Sequence, residues 1–385
     1  MKIYYLSGAK LPSQGPHSIH VMKMAQAFGK AGHDVTLFAQ SIGAASEDLY
    51  EIYDTDPCFK LHLFSGINLP VLSNATQLLQ LSKKMNYSAR PDLLYGHDPL
   101  ALTLFSNEAP IIFEVHEIPT QAAQHWAFSR LLKNGNLRAI ITVSDVLKKE
   151  ILRQYPQIDP EQIFVAHDGA DLIDNLSSHE DDATLRGRKD ALNIGYAGSL
   201  TPGKGIELIN RIARLRPEYD FHIVGGSKKQ IQRLETSDRM PNVYFYGHCE
   251  HADVPSYLKA FDICVAPYQH RALIKTGHNT SRWISPMKVF EYMAAKKPMI
   301  CSKLQVIEEI VQHDYNALLL PASNENKWAE AIDMLAEKPD LVQKLTDNAH
   351  QSLKDHYTWD KRVEAIFDFY ARHKSQATRW KAASS

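Results

Sequence analysis

Lys288 and Glu291 stand three residues apart in the segment 285–298, SPMKVFEYMAAKKP, which otherwise reads as a helix with Val289, Phe290 and Met293 on its apolar side. Ser285 suits the N-cap and Pro286 the first helical position. Lys288 then falls in the first turn, where the positive end of the helix dipole disfavours a cation. Two chemistries satisfy it. Lys288 and Glu291 pair on a solvated surface, or the ammonium and the free helix N–H groups hold an anion between them. Lys204 offers the same choice. It sits in the loop 198–205, GSLTPGKG, just before a helix, with Gly198, Gly203 and Gly205 around it. Glycines let a phosphate approach the backbone and a lysine supplies a mobile charge, although a surface turn has the same letters. The G-x-x-x-x-G-K-[ST] spacing of a nucleotide-triphosphate loop is absent.

His116 is the third candidate, because it directly follows the apolar run PIIFEV, where a sheet delivers side chains to a ligand. A histidine there either contacts a ligand or closes a structural hydrogen bond. Asp54 and Asp56 form a D-x-D pair, but in the polar segment SEDLYEIYDTDP rather than at a strand end, so a turn is expected and no metal. Cys58, Cys249, Cys264 and Cys301 lack metal-ligand spacing, and the last two lie in apolar runs as buried thiols do.

These residues need strands and helices to hold them. Strands are expected at 2–7, 34–39, 60–64, 93–96, 111–115 and 139–143, with a loop over 7–18 containing Gly15 and a helix over 19–30 stopped by Gly32. Gly8 and Gly15 are too far apart for the dinucleotide fingerprint. His97-Asp98, His116-Glu117 and Ser144-Asp145 follow three of these strands and suit the edge of a cleft. The polar run 171–190 suits a domain boundary. A second strand–glycine loop–helix series then restarts, with strands at 192–197, 221–224, 241–247, 261–267 and 299–302 and a helix at 206–215. A last amphipathic helix begins at Trp359, and the tail after it is basic, which suits weak contact with an anionic lipid surface. Composition fits this plan: 385 residues, 44% hydrophobic and 23% charged, with a net charge of −1 and no polybasic half to bind nucleic acid. With no apolar run long enough to span a bilayer, a cytoplasmic location is expected.

In order, the glycine loop with Gly15, the strand ending at His116, ITVSDVLKKEI, HDGAD at 167–171, GSLTPGKGIELI, SPMKVFEYMAAKKPMICS and the closing helix after YTW resemble the family-4 retaining glycosyltransferases of GT-B architecture along nearly the whole chain. The resemblance implies an α/β protein with two doubly wound Rossmann-like domains facing across a cleft. Residues 1–172 would form the acceptor-side domain, 173–190 a linker and 191–356 the nucleotide-sugar domain. Residues 357–385 would return as a helix to the first domain. It implies a nucleoside diphosphate-sugar donor, a glycan or lipid-linked acceptor, no cofactor and no metal. Glu291 would accept hydrogen bonds from the ribose, Lys204 would neutralise the pyrophosphate, and His116 would contact the donor sugar. Gly15 would close over the phosphates, beside Ser199, Ser285 and Lys288, and residues 246–251 would lie near the base. The chain departs from the family pattern twice. Trp283 stands where the first glutamate of Glu-x7-Glu belongs, and the usual arginine would fall near Ser199, so Arg271, Lys275 or Arg282 are expected to supply the missing charge. The departures also leave open a catalytically silent sugar-nucleotide-binding subunit, and less so a hydrolase or epimerase.

Overall fold

The computed structural model describes residues 1–13, 15–43, 46–65, 90–173, 183–270, 283 and 285–373. Arg271, Lys275 and Arg282, most of the expected linker and the basic tail lie outside the described residues. Contacts divide the chain into two compact units. One comprises Met1–His167 with the segment from Trp359 onward, and the other Asp168–Thr358.

The first unit is built on a seven-stranded parallel sheet in the order β3-β2-β1-β4-β5-β6-β7. Its strands are β1 (Lys2–Leu11), β2 (Asp34–Ser41), β3 (Lys60–Ser65), β4 (Leu93–Gly96), β5 (Ile111–Val115), β6 (Leu137–Thr142) and β7 (Ile163–Val165). Helices cover both faces of such a sheet, so central strands are apolar without alternation, and all five residues of β5, IIFEV, are buried. Strand β1 runs four residues further than the sequence suggests, through a register shift between Leu6 and Lys10. This shortens the expected glycine loop, and helix α1 starts early, at Pro16 (Pro16–Lys30), with Gly15 as its N-cap. Strand β7 is too short to show in the sequence pattern. The closing helix α2 (Trp359–His373) packs on α1, where Phe367 meets Phe28 edge-on at 5.6 Å.

The second unit repeats the plan with six parallel strands in the order β10-β9-β8-β11-β12-β13. They are β8 (Asn193–Ala197), β9 (Asp220–Val224), β10 (Val243–Gly247), β11 (Ile263–Ala266), β12 (Met299–Ser302) and β13 (Leu318–Leu320). Helix α3 (Ile206–Leu215) buries Ile206, Ile209, Ile212 and Ala213, a spacing that puts them on one side. Trp328, fully buried in this core, donates its indole N–H to the Pro321 carbonyl at 2.9 Å. Cys264 and Cys301 are buried thiols.

In both units the strand order reverses beside the first strand, between β1 and β4 and between β8 and β11. Ligands of doubly wound sheets bind in the crevice beyond the carboxyl ends of the strands at this point. Among the described residues no helix is long and apolar enough to cross a membrane.

Candidate functional site

At the switch point of the second unit, the loop after β8 and the segment after β11 bring Lys204 to Tyr268. The Lys204 ammonium lies 4.8 Å from the centre of the Tyr268 ring. Gly205 makes this approach possible, because its φ is +84° and a Cβ there would stand 1.9 Å from the Pro267 carbonyl oxygen. Gln269 fastens the two segments by donating its backbone N–H to Gly203 O at 2.9 Å. Ser199 is exposed and turns the loop, with its hydroxyl accepting from the Thr201 N–H. Burial pulls the Lys204 ammonium down to about 8.

Helix α4 (Met287–Ala294) brings Lys288 to the same Tyr268 ring. Lys288 is not the solvated partner of Glu291: its side chain is 7% exposed and its Nζ has no hydrogen bond among the described residues. The ammonium instead lies over two rings, 3.7 Å from the centre of Tyr196 and 4.8 Å from that of Tyr268. Burial, and next the positive charge of Lys204, hold it well below the usual lysine range, against the pull of Glu291. Glu291 faces His251, whose Nδ1 is 3.9 Å from its carboxylate, so the segment after β10 does reach the helix. Tyr246, in β10 itself, is committed elsewhere, accepting the Arg186 N–H at its hydroxyl and lying 2.9 Å from His222. Nor is Ser285 a cap. The helix begins one residue later than expected, Pro286 is the N-cap, and the Ser285 hydroxyl is buried without a hydrogen bond among the described residues. Trp283 Nε1 is in the same state.

The first unit gathers a different set. His116 stands just beyond β5, and its Nε2 is 2.9 Å from Oε1 of Glu114, two residues back. A carboxylate only accepts, so Nε2 carries a proton, and the tautomer this favours leaves Nδ1 as an acceptor. Around this pair stand His20 from α1, 3.2 Å from Glu114 Oε1, and His97 beyond β4, 3.8 Å from Oε2. His17 packs edge-on against both His97 and His116. Glu114 is fully buried, and Arg362 of α2 and the Tyr95 hydroxyl both reach its carboxylate. Burial is the largest single influence on it and would raise its pKa. Arg362, His20 and His116 together hold it well below the ordinary carboxylate range. Burial pushes His97 well below the usual histidine value. His20, His97, Glu114 and His116 have the donor atoms of a metal centre within 4.8 Å of one another. The Arg362 guanidinium already neutralises the carboxylate, which lessens its pull on a cation.

Other expected residues have structural duties. Asp98 caps the helix Pro99–Leu104 by accepting the Leu100 and Ala101 N–H groups, and Ser144 caps Asp145–Gln154. Asp54 and Asp56 sit in a turn, each beside a lysine: Lys23 at 3.8 Å and Lys30 at 2.9 Å. Gly15 has an extended backbone, and a Cβ would meet only Ser13 Oγ at 3.6 Å, so no strain requires a glycine there.

The sequence reading did not single out Tyr196, Tyr268, Glu114, His20 or Arg362. Two of them left a trace: Glu114 is the one charge in PIIFEV, and Arg362 lies on the same side of its helix as Trp359, Val363 and Ile366.

Comparison with known proteins places both units. The family model described as Glycosyltransferase Family 4 matches residues 17–173, and that described as Glycosyl transferases group 1 matches residues 191–338. YtcC of Bacillus subtilis, named as a glycosyltransferase, is 24% identical over 303 residues, covering 70% of this chain and 67% of its own. TuaH of the same organism, named for teichuronic acid biosynthesis, is 26% identical over 185 residues, and the chain spans less than half its length, 44%. The crystal structure of HepE from Anabaena in complex with UDP-glucose superposes with a TM-score of 0.71 at 16% identity, over 97% of this chain and 100% of that one.

Proposed function

Since the chain belongs to the glycosyltransferases of family 4 and group 1 with GT-B architecture, we propose that it moves a hexose with retention from a nucleoside diphosphate-sugar to a glycan or glycolipid acceptor. The observation that carries this reading is the pair of ammonium groups, Lys204 and Lys288, each 4.8 Å from the centre of the Tyr268 ring at the switch point of the second sheet. Among the described residues no carboxylate forms an ion pair with either lysine. A diphosphate supplies the missing charge.

The chemistry follows from where charge develops. As the glycosidic C–O bond of the donor breaks, negative charge grows on the departing phosphate oxygen, and fixed cations in a dry site stabilise it most. Lys204 and the N–H groups at the start of α4 would supply this stabilisation. The same oxygen takes the proton of the attacking acceptor hydroxyl on the face it leaves, which retains configuration and needs no enzymic nucleophile. His116 holds the donor sugar through Nδ1, with its ring fixed by Glu114. Glu291 anchors the ribose. Orientation of acceptor and sugar supplies the rest of the acceleration.

A polysaccharide or lipid-linked acceptor accords with the teichuronic acid role in the name of TuaH. The decisive experiment incubates the purified chain with UDP-, GDP- and ADP-sugars and a panel of glycan and lipid acceptors. Transfer with retained anomeric configuration is expected. Donor binding without turnover would instead mark a silent subunit, and release of free sugar a hydrolase.

A further inference from the structure

Three side-chain atoms within six residues, Trp283 Nε1, Ser285 Oγ and Lys288 Nζ, are buried and lack hydrogen bonds among the described residues. Native proteins rarely leave such atoms unpaired, so their concentration at the entrance to one helix marks a place for a ligand. Lys288 is the most costly of them. Its ammonium is removed from water and lies at the positive end of α4. It also feels the charge of Lys204. The faces of Tyr196 and Tyr268 offset part of this cost. A methionine of similar length would fill the space with none of these penalties. The position of Nζ is also informative. A Cβ on Gly198, whose φ is +141°, would stand 3.0 Å from it, so the ammonium lies directly beneath the loop that carries Ser199 and Lys204.

We propose that Lys288 is the second cation of the diphosphate subsite, reaching the phosphates from beneath the loop after β8, the job expected of Arg271, Lys275 or Arg282. This inference rests on the reading that the second unit binds a nucleoside diphosphate. On binding, the ammonium, Ser285 Oγ and the free N–H groups of α4 converge on one phosphate, while Lys204 takes the other from the loop side. The two tyrosine rings serve as a resting place for the charge when the site is empty. They also hold the ammonium in place, so little rotamer freedom is lost on binding.

The test measures binding of UDP, GDP and ADP, and of the matching free nucleoside, to the unaltered chain and to Lys288→Met and Lys288→Gln by calorimetry, with thermal melting of each ligand-free protein. Both variants are expected to weaken the preferred diphosphate at least tenfold and to leave the nucleoside within about twofold. The free Lys288→Met protein is expected to melt at the same or a higher temperature. Unchanged diphosphate affinity in a folded variant overturns the assignment while leaving the functional reading intact. An equal loss for nucleoside and diphosphate also overturns it, since Lys288 would then only shape the pocket. If the unaltered chain binds none of the three diphosphates, the functional reading itself falls and the inference falls with it.

Discussion

Arg362 Nη2 lies 2.5 Å from Glu114 Oε1 in the core of the first unit, although 248 residues separate them in the chain. The guanidinium also donates to the carbonyls of Ala166 at 3.1 Å and His167 at 2.9 Å. One side chain therefore neutralises the acid that orients His116 and ties the point where the chain leaves this unit to the helix on which it returns.

Breaking this pair is expected to be costly. Arg362→Leu leaves Glu114 buried without its cation, and about 3–5 kcal/mol of stability is at stake. Urea denaturation of the first unit would register the loss. Arg362→Lys keeps the charge but not the three-way donation, and should recover only part of it.

Glu114→Gln tests the orientation of His116. A glutamine amide can donate to Nε2, which would place the ring proton on Nδ1 and present a donor where the proposed sugar hydroxyl needs an acceptor. The expected result is a fall in kcat of roughly tenfold or more, about 1.4 kcal/mol, with diphosphate affinity unchanged because the second unit is untouched. Equal loss in both quantities would count against the role.

The lysine pair gives the site a pH dependence of known sign. Lys204, with a pKa of about 8 in the free protein, faces Lys288 and Tyr268. Diphosphate affinity should hold below pH 8 and fall as pH rises through it, since the ligand needs the ammonium. Stability of the ligand-free protein should run the other way. A lysine whose folded pKa is depressed binds fewer protons than in the unfolded chain between pH 8 and the ordinary lysine value, so its contribution rises with pH across that window. Calorimetry and melting across pH 7–10 would separate the two trends.

Gly205→Ala probes the loop rather than the charge. At φ +84°, with a Cβ 1.9 Å from Pro267 O, the backbone must move away from Tyr268. Strain of about 1–2 kcal/mol and loss of most turnover are expected, with Lys204 still present. The Lys204→Ala protein should fold normally and lose most turnover, which a transfer assay reads directly.

Asp54 and Asp56 each have a lysine beside them, so activity should survive a strong chelator and gain nothing from added Mg²⁺ or Mn²⁺. Chelator-sensitive transfer restored by either ion would reopen the D-x-D pair, or the histidine cluster, as a metal site.

The sequence by itself determined the alternation of apolar strands, glycine loops and helices that makes two doubly wound sheets. These patterns are local: β5, β11 and β12 are apolar because both faces are covered, and Gly198 and Gly205 announce turns wherever they occur. It also placed His116 at a strand end and Lys204 in the glycine loop before a helix. Its reading of the α4 entrance failed at one point, the cap by Ser285, which is the cheapest local solution; of the two partners it left open for Lys288, the fold did not choose Glu291. Only tertiary structure decided that Lys288 sits beneath the loop of Lys204 with two tyrosine rings against it, and that Arg362 completes the setting of Glu114. Contacts between residues far apart in the chain depend on strand order and helix packing, which no local spacing encodes. A helix with a misplaced lysine thus brings, in three dimensions, a buried ammonium against the loop of Lys204.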